Sequence, residues 1–166
     1  MRFALELATP ADAHEIAAVR SAAAADLKAR YGDGPWAAST DTAAAVAIEV
    51  TAAETYVVRL TGTVIATLRL RSSSPWIGET KFFTPAEKPL HLTTMAVGPQ
   101  WQRRGVGRSA VTHACQIASQ LGADAIRLDC FDAPAGAGGF YERCGFRQIA
   151  RTRYLGVPLL WFERVA

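Results

Sequence analysis

The sequence predicts an α/β fold, in detail an α+β sandwich around a mixed sheet, on three observations. Strand-like and helix-like periodicities alternate along the chain. Residues 55–71 read as two β-branched runs joined by the two-residue turn Thr61-Gly62. Residues 90–121 read as an apolar strand, a glycine turn and an amphipathic helix. At 166 residues the chain suits one domain spanning 1–166, large enough to bury a core without staples.

Each element follows from local chemistry. RFALELA alternates as a strand, and TPADAHEIAAVRSAAAADLKAR continues as a helix with Thr9 as its cap and Pro10 in its first position. YGDGPW interrupts the chain before a shorter helix, DTAAAVAIEV. TYVVRL and TVIATLRLR form the hairpin. From Ser72 to Pro89, serines, prolines, Trp76, Phe82 and Phe83 make a long aromatic loop of the kind that lines sites. LHLTTMAV is a strand and GPQWQRRGVG a turn. RSAVTHACQIASQL is a helix whose apolar Val111, Ala114, Cys115, Ala118 and Leu121 share one face, closed by Gly122. AIRLDCF is the next strand. A loop is expected as far as about Gly136, then a short helix carrying Phe140 and Tyr141 and stopped by Gly145. FRQIARTRYL and PLLWFERV, joined at Gly156-Val157, close the chain as two strands.

Composition narrows the function. Hydrophobic residues make up 50% and charged ones 20%, with a net charge of +3 and acids and bases interleaved, so a nucleic-acid surface is not expected. Cys115, Cys130 and Cys144 are odd in number and lack CxxC spacing or nearby histidines, which argues against a disulfide framework and against a metal site. A reduced, cytoplasmic setting fits. Glu6 and Asp12 interrupt the N-terminus before a signal-peptide core can form, and no apolar run is long enough for a membrane span.

The local concentration of charge is QWQRRGVGRSA, with Arg103, Arg104 and Arg108 around Gly105 and Gly107. A helix start offers amides without backbone partners and the positive end of the helix dipole, so an anion is stabilised there. Glycines let the backbone approach that anion, and arginines add charge-assisted bonds from the rim. A diphosphate suits such a turn. The Lys-Ser/Thr ending of a P-loop and the three-glycine dinucleotide fingerprint are both missing, so ATP and NAD are disfavoured. On the residues alone, GVG also reads as a tight strand-to-helix turn with solvated arginines.

QRRGVG, preceded by LTTMAV and followed after a helix and strand by GFYERCGF, resembles the Gcn5-related N-acetyltransferase (GNAT) superfamily, whose cofactor loop has the pattern Q/R-x-x-G-x-G/A. The resemblance implies a mostly antiparallel sheet with a splayed central pair of parallel strands and helices on both faces. It implies acetyl-CoA as cofactor and acetyl transfer to an amine, a small molecule or peptide, by direct attack in a ternary complex. Carried over, Met95, Ala96 and Val97 offer main-chain bonds to pantetheine, with an amide near Val97 polarising the thioester carbonyl. Gln102, Arg103, Arg104, Gly105, Val106, Gly107 and Arg108 hold the diphosphate, and Tyr141 is the general acid. His91, six residues before Val97 and with an ordinary pKa near 6.5, is a candidate base, as is Glu79. The chain departs from the family pattern where Pro134 replaces an asparagine seven residues before the tyrosine, which leaves open a non-catalytic acyl-CoA-binding or regulatory module of the same fold. Glycines at 136, 138 and 139 would cost a helix roughly 0.8–1 kcal/mol each against alanine, so either the helix starts late or close packing compensates. Trp36, Trp76, Phe82, Phe83, Tyr154 and Trp161 are candidates for an aromatic acceptor pocket, Glu79 and Glu87 could draw a cationic amine to it, and the last two strands offer an edge compatible with a homodimer.

Overall fold

The computed structural model describes residues 3–38, 41–78 and 80–166. Its strands are β1 (Leu5–Leu7), β2 (Thr55–Leu60), β3 (Thr63–Arg71), β4 (Pro89–Val97), β5 (Ala125–Phe131), β6 (Arg147–Tyr154) and β7 (Val157–Val165). Its helices are α1 (Ala13–Tyr31), α2 (Ala43–Glu49), α3 (Val106–Gln120) and α4 (Gly138–Arg143). The strands form one sheet in the order β1-β2-β3-β4-β5-β7-β6. It is mostly antiparallel, with β4 and β5 as a parallel pair whose ladder runs only from Pro89 opposite Ala125 to His91 opposite Arg127. By contacts the chain divides into two compact units, residues 1–70 with 94–114, and residues 71–93 with 115–166.

In the first unit β1, β2 and β3 pair antiparallel, and the β2–β3 connection places Thr61 and Gly62 both at positive φ, the backbone of a tight hairpin turn. Ile16 and Val19 of α1, Val46 of α2, Val57 and Val64 bury one apolar cluster, which makes these helices a cover for that face. Thr9 and Pro10 take the cap and first position as expected, but of a 3-10 turn that leads into α1. Pro10–Asp12 form a 3-10 turn, Thr9 donates its amide to Asp12 Oδ2 at 2.8 Å, and the α-helix begins at Ala13. Burial acts to raise the Asp12 pKa, but bonds from Arg59 and Thr9 outweigh it and hold the carboxyl below its usual range. Arg20 of α1 is 5% exposed and grips Glu49 of α2 through two bonds of 3.0 and 2.8 Å.

In the second unit β7 lies between β5 and β6, antiparallel to both. Successive strand residues point to opposite faces, so Trp161 and Phe162, 1% and 0% exposed, each anchor a different layer. Trp161 packs under Trp76, Phe82 and Phe83 of the long loop, while Phe162 packs near Tyr141 of α4. That loop is pinned to the sheet. Thr84 donates its amide to Glu163 at 3.0 Å, Arg127 donates to the Thr84 carbonyl at 2.8 Å, and Ile77 donates its amide to the Tyr154 hydroxyl at 2.7 Å. The last hairpin turns at Leu155 and Gly156, both at positive φ, one residue earlier than Gly156-Val157, so β7 begins at Val157.

The late start of α4 resolves the glycine question both ways. Gly136 precedes the helix, and a Cβ there would sit 1.8 Å from the Phe131 carbonyl oxygen. Within α4, a Cβ at Gly138 would lie 3.0 Å from Leu160 Cδ1, so the missing side chain sets how closely the helix approaches β7. Among the described residues no helix is long and apolar enough to cross a membrane.

Candidate functional site

The residues expected to hold the cofactor all fall in the first unit. β4 breaks its extended run at Thr94, whose φ of 47° is left-handed, and Met95, Ala96 and Val97 follow, each partly buried. Two bonds then shape the turn. Gly98 donates its amide to the Ile65 carbonyl at 2.8 Å, and Gln102 folds its side-chain amide back onto the Val97 carbonyl at 3.1 Å. Pro99–Trp101 form a 3-10 turn, Arg103 and Gly105 take φ of 59° and 82°, and α3 begins at Val106, two residues before the expected Arg108.

The first backbone bond of α3 runs from the Ser109 amide to the Gly105 carbonyl at 3.0 Å, so the amides of Val106, Gly107 and Arg108 stand ahead of the helical ladder. Val106 is buried, 1% exposed, which fixes the turn, while Arg103, Arg104 and Arg108 are exposed and Arg104 lies 5.5 Å over the Trp101 ring. A Cβ added at Gly105 would meet no atom within 4 Å, so space on that side of the turn is open. Three leading amides, the helix dipole and three exposed guanidinium groups suit a multiply charged anion.

Tyr141 and His91 fall in the second unit, and the sheet separates them. Tyr141 is 7% exposed on α4, its ring 5.9 Å from Phe146 and 6.2 Å from Phe162. Burial, first, and then the neighbouring Cys130, Cys144 and Asp129 push its phenol well above the ordinary range, so it holds its proton at neutral pH. Burial likewise pushes the Cys130 thiol up to about 11.

His91 is opposite Arg127 and therefore on the Trp161 face, 3% exposed, with its ring edge-on to Trp76 at 5.3 Å. Its Nδ1 lies 3.3 Å from the Arg71 carbonyl oxygen. A carbonyl only accepts, so Nδ1 carries the hydrogen and Nε2 is the basic nitrogen. Burial, more than the nearby Arg127 and Arg71 charges, lowers its pKa below the ordinary value and keeps the ring neutral.

Of the aromatic candidates, Trp76, Phe82, Phe83, Tyr154 and Trp161 share one cluster in the second unit, and Trp36 lies in the first unit with its indole N–H on the Gly32 carbonyl. Glu79 lies outside the described residues. Glu87 is exposed and bonds Asp124 through its backbone at the amino-terminal end of β5. The strand reading of AIRLDCF passed over Asp129, which accepts a hydrogen bond from the Trp76 indole and whose pKa is raised by burial. The available signal was an acid in mid-strand, at a position whose neighbours Leu128 and Cys130 are buried.

A mixed sheet with one short parallel ladder, and a basic glycine turn that opens a helix after β4, define an α/β protein with an anion-binding turn. The model of the Acetyltransferase (GNAT) family matches residues 16–146, and the chain belongs to that family. Solved structures agree in fold. A GNAT-family acetyltransferase from Streptococcus agalactiae superposes with a TM-score of 0.81 at 15% identity, covering 99% of this chain and 95% of that one. PaiA N-acetyltransferase from Thermoplasma acidophilum, solved in complex with coenzyme A, gives 0.77 at 14% identity with 100% of both chains covered. Ribosomal-protein-alanine N-acetyltransferase from Brucella melitensis gives 0.74 at 14% identity, covering 98% of this chain and 99% of that one. No curated protein sequence matches the chain significantly.

Proposed function

We propose that the chain is an acetyl-CoA-dependent N-acetyltransferase that passes the acetyl group to a primary amine by direct attack in a ternary complex. The observation that carries this reading is the turn at Gly105, with three amides ahead of the α3 ladder, three exposed arginines at its rim and open space where a side chain would stand. These residues fit a diphosphate. Gln102 to Arg108 hold it, and the main chain of Met95, Ala96 and Val97 pairs with the pantetheine arm as an added strand would.

Bound acetyl-CoA supplies an activated acetyl carbon and a thiolate leaving group. The protein manages the protons. An amine attacks only when neutral, and His91, neutral and basic at Nε2, accepts the proton that must leave it. Tyr141, kept protonated by burial, donates to the departing sulfur. The acceptor is a small-molecule or peptide amine rather than a nucleic acid, the setting is cytoplasmic, and β6, last in the strand order, presents an edge to a second copy.

The test is a screen of amines for release of free thiol from acetyl-CoA. Amine-dependent release supports the reading. Tight binding of acetyl-CoA with no release across a broad panel would instead make this a non-catalytic acyl-CoA-binding module.

A further inference from the structure

Asp129 is an acid in mid-strand between the buried Leu128 and Cys130. It stands in β5 beyond the end of the parallel ladder, opposite Trp161 of β7, and is partly buried. Its hydrogen-bond donor and its cross-strand partner are both tryptophans. The Trp76 indole N–H bonds Oδ2, the Trp76 ring lies 5.0 Å from Trp161, and Phe82 and Tyr154 lie 4.9 and 5.9 Å from Trp161. Trp76, Phe82 and Tyr154 are each partly exposed, so the cluster has an open side. Among the described residues no arginine, lysine or histidine forms an ion pair with Asp129.

Arg127 and Arg71 make other contacts and no ion pair with Asp129 among the described residues. Arg127 lies 4.8 Å over the Phe83 ring and donates to the Thr84 carbonyl, and Arg71 donates to Ser73. Glu163, the other acid of the face, is taken up by Thr84 and Arg147. A carboxylate withdrawn from water without a cation costs stability, and that cost is visible as the raised Asp129 pKa. One N–H from Trp76 leaves Oδ1 with no hydrogen bond among the described residues.

From this juxtaposition we propose that Asp129 is the anchor for the acceptor's ammonium group, and that Trp76, Phe82, Tyr154 and Trp161 select amines whose carbon frame is flat or apolar. A cation beside aromatic faces and against a carboxylate gains from both. The inference rests on the transferase reading for its meaning, since it names the substrate class of that reaction.

The test titrates the full chain at neutral pH with phenethylamine, present as its ammonium, and with its neutral isostere 2-phenylethanol, following indole emission. Wild type is expected to bind the ammonium at least tenfold more tightly than the alcohol, and Asp129→Asn to lose that preference. The amide oxygen still accepts from Trp76, so the loop stays pinned, and acetyl-CoA affinity and melting temperature should not fall. Asp129→Ser gives a second reading should the amide disturb the loop. Equal binding of both probes by wild type, or a preference surviving in both variants, overturns the proposal. Ammonium preference without any acetyl transfer would leave the site standing and sink the transferase reading. Transfer by a wild type that binds both probes equally would do the reverse.

Discussion

At the scale of single residues, the chemistry turns on where protons sit. Tyr141 holds its proton because water is excluded from it, so at neutral pH it is in the protonated form a general acid needs as the thiolate leaves. Tyr141→Phe is therefore expected to lower kcat by at least tenfold while leaving acetyl-CoA affinity within twofold, and matching losses in both, by steady-state kinetics and calorimetry, would remove it from the acid role. His91 acts as a base only when unprotonated. Its burial moves the acidic limb of kcat/KM to a midpoint below about 6.5, with the rate falling as pH drops through it. His91→Ala should abolish that limb, and a pH–rate profile with the limb unchanged would assign the proton to another group. Tyr141 and His91 were legible as residue types, one by motif and one by its place before Val97. Their separation onto opposite faces was not, because it depends on β7 presenting Phe162 to one layer and Trp161 to the other. Asp129 was passed over since a lone acid in a strand gives no sign of lacking a cation until its neighbours in space are known.

At the scale of elements, periodicity and turn chemistry carried most of the sequence reading. β5 matched AIRLDCF end to end, and the Thr61-Gly62 turn formed where two positive-φ residues were needed. Misplaced boundaries have local causes. The capping role expected of Thr9 went to a 3-10 turn, since Asp12 reaches back to the Thr9 amide and also holds Arg59. The final hairpin shifted by one residue because Leu155 adopts a left-handed backbone that its side chain does not advertise. α4 is the clearest case of packing deciding sequence. Gly136 has no room for any Cβ beside the Phe131 carbonyl, whereas a Cβ at Gly139 faces the movable end of Arg143 at 3.3 Å. Gly136→Ala is expected to destabilise the protein by more than about 2 kcal/mol in denaturant unfolding, and Gly139→Ala to be neutral or to stabilise by up to about 1 kcal/mol. Equal effects would mean that the turn after β5 is looser than its geometry.

At the scale of the whole molecule, the mostly antiparallel sheet and the parallel β4–β5 pair are those the family resemblance implied, and the match over residues 16–146 extends that likeness well beyond the glycine motif. The division into two compact units had no signature in composition, because no linker or change of residue usage marks it and the boundaries cut through β4 and α3. The central claim is that the turn led by Gly105 grips the diphosphate of coenzyme A. Calorimetric titration of coenzyme A and of pantetheine, which lacks the diphosphate, into wild type and Gly105→Val tests it most directly. We expect wild type to favour coenzyme A by at least a hundredfold and the variant, folded but with a lowered melting temperature because valine is strained at a φ of 82°, to lose most of that advantage while binding pantetheine as before. Unaltered coenzyme A affinity in Gly105→Val would contradict the claim.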